Sequence, residues 1–158
     1  MTAGATPTPP PKSPPPKPPQ SFLSFDYGRK RTGVASGNRV FGQGTPLTTV
    51  TGEGDAKFAP IARLIAEWQP DALVVGVPCH PDGNPHDNTR LAQRFARQLH
   101  GRFGLPVFEV DERYSTTEVL SAGARDADAA AAALLLDQYF RESAEAARAA
   151  SAPEETFR

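Results

Sequence analysis

The sequence predicts an α/β domain on a mixed five-stranded sheet, an antiparallel meander continued by parallel strands, with helices on both faces. Three observations carry this. Three strand-like stretches follow one another between Ser21 and Val50, with turn residues between them. From Asp55 onward, stretches with apolar residues at 3.6-residue spacing alternate with short apolar runs. What remains of the 158 residues after a proline-rich leader suffices for one ordinary domain and not for two.

The leader is Met1 to Gln20, which holds nine of the chain's 17 prolines. Proline fixes φ and removes the amide donor, so residues 1–20 are expected to be a disordered tail outside the core. The domain is expected over residues 21–150, with 151–158 as a frayed end. Ser21-Phe-Leu-Ser-Phe-Asp26 is apolar and aromatic and runs into a glycine turn, so it reads as a buried strand. Thr32 to Ser36 and Val40 to Val50 read as two more strands, with Gly37-Asn38 as the hairpin between them. Gly42, Gly44 and Pro46 break the last of these, which suits an edge strand or an irregular one.

Asp55 is placed to cap a helix whose stripe is Phe58, Ile61, Leu64, Ile65 and Trp68, ending at Gln69-Pro70-Asp71. Ala72 to Val77 is continuously apolar, as a parallel strand covered on both faces should be. The polar loop Cys79 to Asp87 follows. A second helix carries Leu91, Phe95, Leu99 and Phe103 and stops at Gly104, and Pro106 to Val110 is the next strand. Ser115 and Glu118 have the spacing of a capping box. The last helix runs from Ala127 to Ala150, packing through Leu134 to Leu136, Tyr139 and Phe140.

Without Lys12 and Lys17 of the leader, the 17 basic side chains become 15, against 18 acidic ones. A domain-wide basic field is therefore absent, and a polyanion has to be held by a local basic patch or by metal ions. The single Cys79 excludes an intramolecular disulfide framework and a cysteine-built zinc site. His80, His86 and His100 lack metal-ligand spacing. No apolar run approaches the ~20 residues of a membrane helix, so a soluble cytoplasmic protein without a membrane partner is expected.

Two stretches stand out chemically, and a third gains weight beside them. Asp26-Tyr-Gly-Arg-Lys-Arg-Thr-Gly33 puts an acid at the end of a buried strand, where it is costly unless paired or bound to a cation. Arg29, Lys30 and Arg31 follow at once. Asp111-Glu-Arg113 lies just beyond a parallel strand, at the end where α/β sheets bind ligands. Asp128 opens the final helix; taken alone it reads as a helix-end acid, for which Asp126 serves equally well.

Together these stretches, with Val74-Val-Gly-Val-Pro78, Asp82-Gly83 and Asp128-Ala-x-Ala-Ala-x-x-Leu-Leu-x-x-Tyr139, resemble the YqgF/RuvX family in order and nearly in spacing. That family is described as nucleases of the 5′ end of pre-16S ribosomal RNA and as Holliday junction resolvases. The resemblance spans roughly Phe22 to Phe140 and implies a ribonuclease H-like fold, with the first strand central. It also implies that Asp26, Glu112 and Asp128 are catalytic and bind a divalent metal, Mg2+ or Mn2+. Arg29, Lys30, Arg31 and Arg113 would contact nucleic acid. The expected partner is RNA, as pre-16S rRNA in a pre-ribosomal particle, with branched DNA as the alternative, in a monomer or homodimer. One departure is plain. Between Arg113 and Asp128 many relatives carry a longer basic loop, whereas this chain has one cation there, Arg125.

The expected activity is metal-dependent hydrolysis of phosphodiester bonds. A sugar-kinase or Hsp70-like ATPase shares the Asp-x-Gly feature but uses two such domains. A ribosome-assembly or transcription factor that binds RNA without cutting it is the rival of a different class.

Overall fold

The computed structural model describes residues 19–78, 87–112 and 127–150. The Ser115–Glu118 capping box, the loop after Pro78, Arg113, and the segments assigned to leader and frayed end (residues 1–18 and 151–158) lie outside them. Five strands are present: β1 (Ser21–Asp26), β2 (Arg31–Asn38), β3 (Gln43–Thr51), β4 (Ala72–Pro78) and β5 (Val107–Glu112). The helices are α1 (Phe58–Trp68), preceded by a 3-10 turn (Gly54–Lys57), α2 (Asp87–Phe103) and α3 (Ala127–Ala150).

The sheet order is β3-β2-β1-β4-β5. β1 pairs antiparallel with β2 and parallel with β4, and β4 pairs parallel with β5. β1 is therefore central, and the parallel strands end along one edge at Asp26, Pro78 and Glu112. The apolar runs of β1 and β4 follow from this placement, since both are covered on two faces. Pro46 sits in the edge strand β3, beside a register shift at Val34/Ala35, where a missing amide donor is tolerated.

Strand alternation sorts the side chains into two layers. Leu23, Phe25, Leu73 and Val75 meet Phe58 and Ile61 of α1 and Phe95 and Leu99 of α2. Phe22, Val74 and Val110 meet Leu136 and Phe140 of α3. The hydroxyl of buried Ser24 donates to the Ala132 carbonyl oxygen at 2.7 Å, joining sheet and helix backbone.

Local expectations are corrected in three places. Gly37-Asn38 belongs to β2, and the chain turns over Arg39 to Gly42, with Val40 and Phe41 exposed at the tip. Asp55 does not cap α1; it lies in the 3-10 turn and pairs with Arg102 at 3.2 Å. Trp68 is 44% exposed, so the α1 stripe ends at Ile65. The end of α2 follows the expectation: Gly104 takes φ +71 and its amide closes on the His100 carbonyl at 2.9 Å. Pro19 and Gln20, counted with the leader, are tied to the domain. The Pro19 carbonyl accepts from Arg39 Nε at 3.2 Å and the Gln20 amide donates to Asp71 at 2.8 Å. Among the described residues no helix is long and apolar enough to cross a membrane.

Candidate active site

The end of β1 fixes the site. Phe22 and Ser24 face α3, so alternation turns Asp26 to the same side. On β5, Val110 faces α3 and Glu112 follows it two residues later, while Asp111 alternates away and is exposed. The register that pairs Pro78 with Glu112 and Phe25 with Val75 sets both carboxyls at the same edge. Sheet parity thus selects Glu112 over its acidic neighbour.

Asp128 arrives from the other layer, in the first turn of α3. It can do so because Gly33, paired with Asp26 across β1 and β2, has no side chain. A Cβ on Gly33 would collide with the Asp128 carbonyl group. Gly76 does the same service on β4: a Cβ there would meet the methyl groups of Leu135 and lie 3.0 Å from Glu112 Oε2. The close approach at Gly33 is visible only with α3 in place.

Electrostatics bind the three acids into one unit. The Asp26 carboxyl is raised to about 8, first by burial, then by the charge of Glu112 and a hydrogen bond to it, and last by the charge of Asp128. At neutral pH Asp26 therefore keeps its proton beside Glu112. Asp128 is engaged elsewhere: its Oδ2 lies 3.0 Å from Arg31 Nε. The Arg31 side chain is 64% exposed, so this pair contributes at most ~1 kcal/mol and is readily exchanged.

Among the described residues no group of three or more His, Cys, Asp or Glu side chains is gathered closely enough to hold a metal ion as it stands. The donor chemistry nevertheless fits a hard divalent cation: all three groups supply carboxylate oxygens, and the buried pair retains a proton that a cation would displace. Asp26 and Glu112 adjoin, while Asp128 is paired with Arg31.

The basic residues divide. Arg31 is taken by Asp128, Arg29 lines a cavity on the other side of the sheet, and Lys30 is exposed beside them. Gln138 had no signal in the sequence, where it sits inside an apolar stripe. It is 2% exposed, and its Nε2 donates to the Asp111 carbonyl at 2.7 Å and to Glu142 at 2.9 Å. It holds the end of β5, and so Glu112, against α3.

Comparison with known proteins places the chain in a family and its fold beside a solved structure. The sequence profile of the RuvX family, described as Holliday junction resolvase, matches residues 20–142. A protein of Albidiferax ferrireducens named "Putative pre-16S rRNA nuclease" is 63% identical over 122 residues, covering 77% of this chain and 78% of that one. A Polaromonas protein of the same name is 61% identical, covering 77% and 88%. Among solved structures, Thermus thermophilus RuvC in complex with a Holliday junction substrate superposes with a TM-score of 0.54 at 15% identity. It covers 78% of this chain and 94% of RuvC. At that identity the likeness concerns the fold: the expected ribonuclease H-like sheet is the one RuvC also has. With the profile matched along most of the chain and relatives above 60% identity, the protein belongs to the RuvX family.

Proposed function

We propose that this protein is a divalent-cation-dependent nuclease that processes the 5′ end of pre-16S rRNA in the cytoplasm. The observation that carries the reading is the meeting of Asp26 and Glu112 at one end of the sheet, with Asp128 close by. Burial, Glu112 and Asp128 together raise Asp26 to about 8, the signature of carboxyls arranged for a cation. The names of the relatives supply the substrate.

Hydrolysis joins a water oxygen to phosphorus and releases the 3′ oxygen with a proton, leaving a 5′ phosphate. A cation bound by Asp26, Glu112 and Asp128, Mg2+ or Mn2+, would lower the pKa of the attacking water and stabilise the leaving oxygen. The protein's own groups prepare this. Asp26 and Glu112 bring two carboxyls to one place by storing a proton between them. Arg31 holds Asp128 while no cation is present, and on leaving it becomes a free guanidinium for a phosphate beside the site. Gly33 and Gly76 let the helix and strand ends approach. The family description favours a four-way DNA junction as second substrate, with the same carboxyls and the same bond cleaved.

The test incubates full-length protein with precursor rRNA and with a four-way DNA junction, in Mn2+ and in EDTA. Cleavage of the RNA should require Mn2+. Asp128→Asn should lower its rate at least ~100-fold, ~2.7 kcal/mol of transition-state stabilisation, with RNA still bound in EDTA. RNA binding without Mn2+-dependent cutting of either substrate would make this a non-catalytic binder. An Asp128→Asn rate within ~5-fold of wild type would remove Asp128 from the site.

A further inference from the structure

We propose that the cavity across the sheet edge from the carboxylates is a phosphate subsite, holding a backbone phosphate of the single strand being processed. The proposal deepens the nuclease reading and rests on it for the identity of the strand. The cavity has a volume of about 300 Å³, and its lining includes Tyr27, Arg29, Glu53, Lys57, Arg94 and Phe95. That is the low end of the range for small-ligand sites, enough for a phosphate and part of its sugar.

Its distinguishing residue is Lys57, which is only 2% exposed. A buried ammonium is expensive without a counter-charge. Among the described residues no carboxylate lies within ion-pair distance of it. Its Nζ stands 5.0 Å over the Tyr27 ring and 6.0 Å from that of Phe95, and donates one long hydrogen bond, 3.5 Å, to the Arg29 carbonyl. An ammonium has three donors, so it can take a further acceptor. Burial lowers its pKa, while the charge of Glu53 opposes that shift. Of the two acids on the wall, Asp55 is neutralised by Arg102. Arg29 and Arg94 are exposed and, among the described residues, have no carboxylate partner. Two guanidinium groups and a buried ammonium thus outweigh Glu53 in the cavity lining, which favours an anion.

The position identifies which anion. Tyr27 follows Asp26, with Cα atoms ~3.8 Å apart, and points to the opposite face of the sheet. A strand that lays one phosphodiester on the carboxylates would have this cavity just around the end of β1, within reach of a neighbouring phosphate.

The experiment measures anisotropy of a labelled 12-nucleotide single-stranded RNA with the full-length protein in EDTA, across a series of KCl concentrations. Arg94→Gln and Lys57→Met should each raise Kd ~5-fold or more and lower the slope of log Kd against log salt by ~0.7. Arg97→Gln, exposed on α2 and outside the cavity lining, is the control. Melting curves verify folding; should Lys57→Met fail to fold, Arg94→Gln decides alone. Wild-type Kd and slope in the cavity variants, or an equal loss in Arg97→Gln, would overturn the proposal. Inorganic phosphate is the second probe: if Arg94→Gln weakens phosphate but leaves RNA unaltered, the cavity serves a free anion and the proposal fails. Cleavage in Mn2+ is scored separately. A wild type that does not cut RNA, yet loses RNA at Arg94 and Lys57, sinks the nuclease reading and keeps the subsite.

Discussion

Against one face of the sheet lie Phe58, Ile61, Phe95 and Leu99, with Phe95 edge-on to Phe25 at 5.8 Å and stacked on Phe58 at the same separation. Against the other lies a helix whose first seven residues are all alanine except Asp128. It meets Gly33, Gly44, Ser24 and Ala35 through Ala132, Ala133 and its own carbonyls, and Gly37 through the Leu136 side chain. The first layer is a side-chain interior, in which rotamers can adjust. The second brings backbone onto backbone at Gly33 and Gly44, and there the spacing has no slack. The acids follow that division: Asp26, Glu112 and Asp128 all lie on the α3 side, where a helix end can be fixed against a strand end. The α1 and α2 side holds the sheet together and leaves a cavity between large rings.

That contrast breaks hardest at Gly33. Gly33→Ala places a Cβ within the space of the Asp128 carbonyl, and neither β2 nor α3 can yield without moving the other. We expect a loss of ~3 kcal/mol or more by urea denaturation, with cleavage lost as Asp128 is displaced. A Gly33→Ala protein as stable as wild type would mean that α3 rides further from the sheet.

The next test uses pH on the metal-free protein. In the folded state Asp26 keeps its proton up to about 8, whereas in the unfolded chain it releases it near ~3.9. Between those values the folded state binds more protons, so stability is greatest at the acid end and is lost as pH rises towards 8. The melting temperature in EDTA should fall by ~6 °C or more over that window, as ~2 kcal/mol would produce in a domain of this size. Asp26→Asn should be flat across it and more stable than wild type at pH 8. A parallel decline in both proteins would place the proton elsewhere.

The smallest effect belongs to the side-chain layer. Ile61→Val removes one methylene from a fully buried position on α1 and should cost ~1 kcal/mol, with the cleavage rate unchanged. A loss of rate there would join the two layers more closely than their packing suggests.

Much of this molecule could be read in the chain. The strand ending in Asp26, the apolar run of β4 and the extent of α3 are each written locally, in unbroken apolar residues or in alanine, and the element bounds fall close to those signals. The errors arose where a local signal competes with a distant partner. Gly37-Asn38 is a good turn, yet pairing with Gly44 and Gln43 keeps it in β2. Asp55 is a good cap, yet Arg102 takes its carboxylate. Lys57 and Gln138 gave no warning, because a polar residue is buried only when another element closes over it.

The sequence by itself determined which segments become strands and helices and which acids end them, because apolar periodicity and turn chemistry act over a few residues. It also carried the family, in the order and spacing of its motifs. Only the tertiary structure showed why Glu112 and not Asp111 faces Asp26, and decided that Arg31 occupies Asp128 and that α3 touches the sheet at Gly33. Those depend on strand register and on the distance between two layers, which are set by contacts among residues up to a hundred positions apart along the chain.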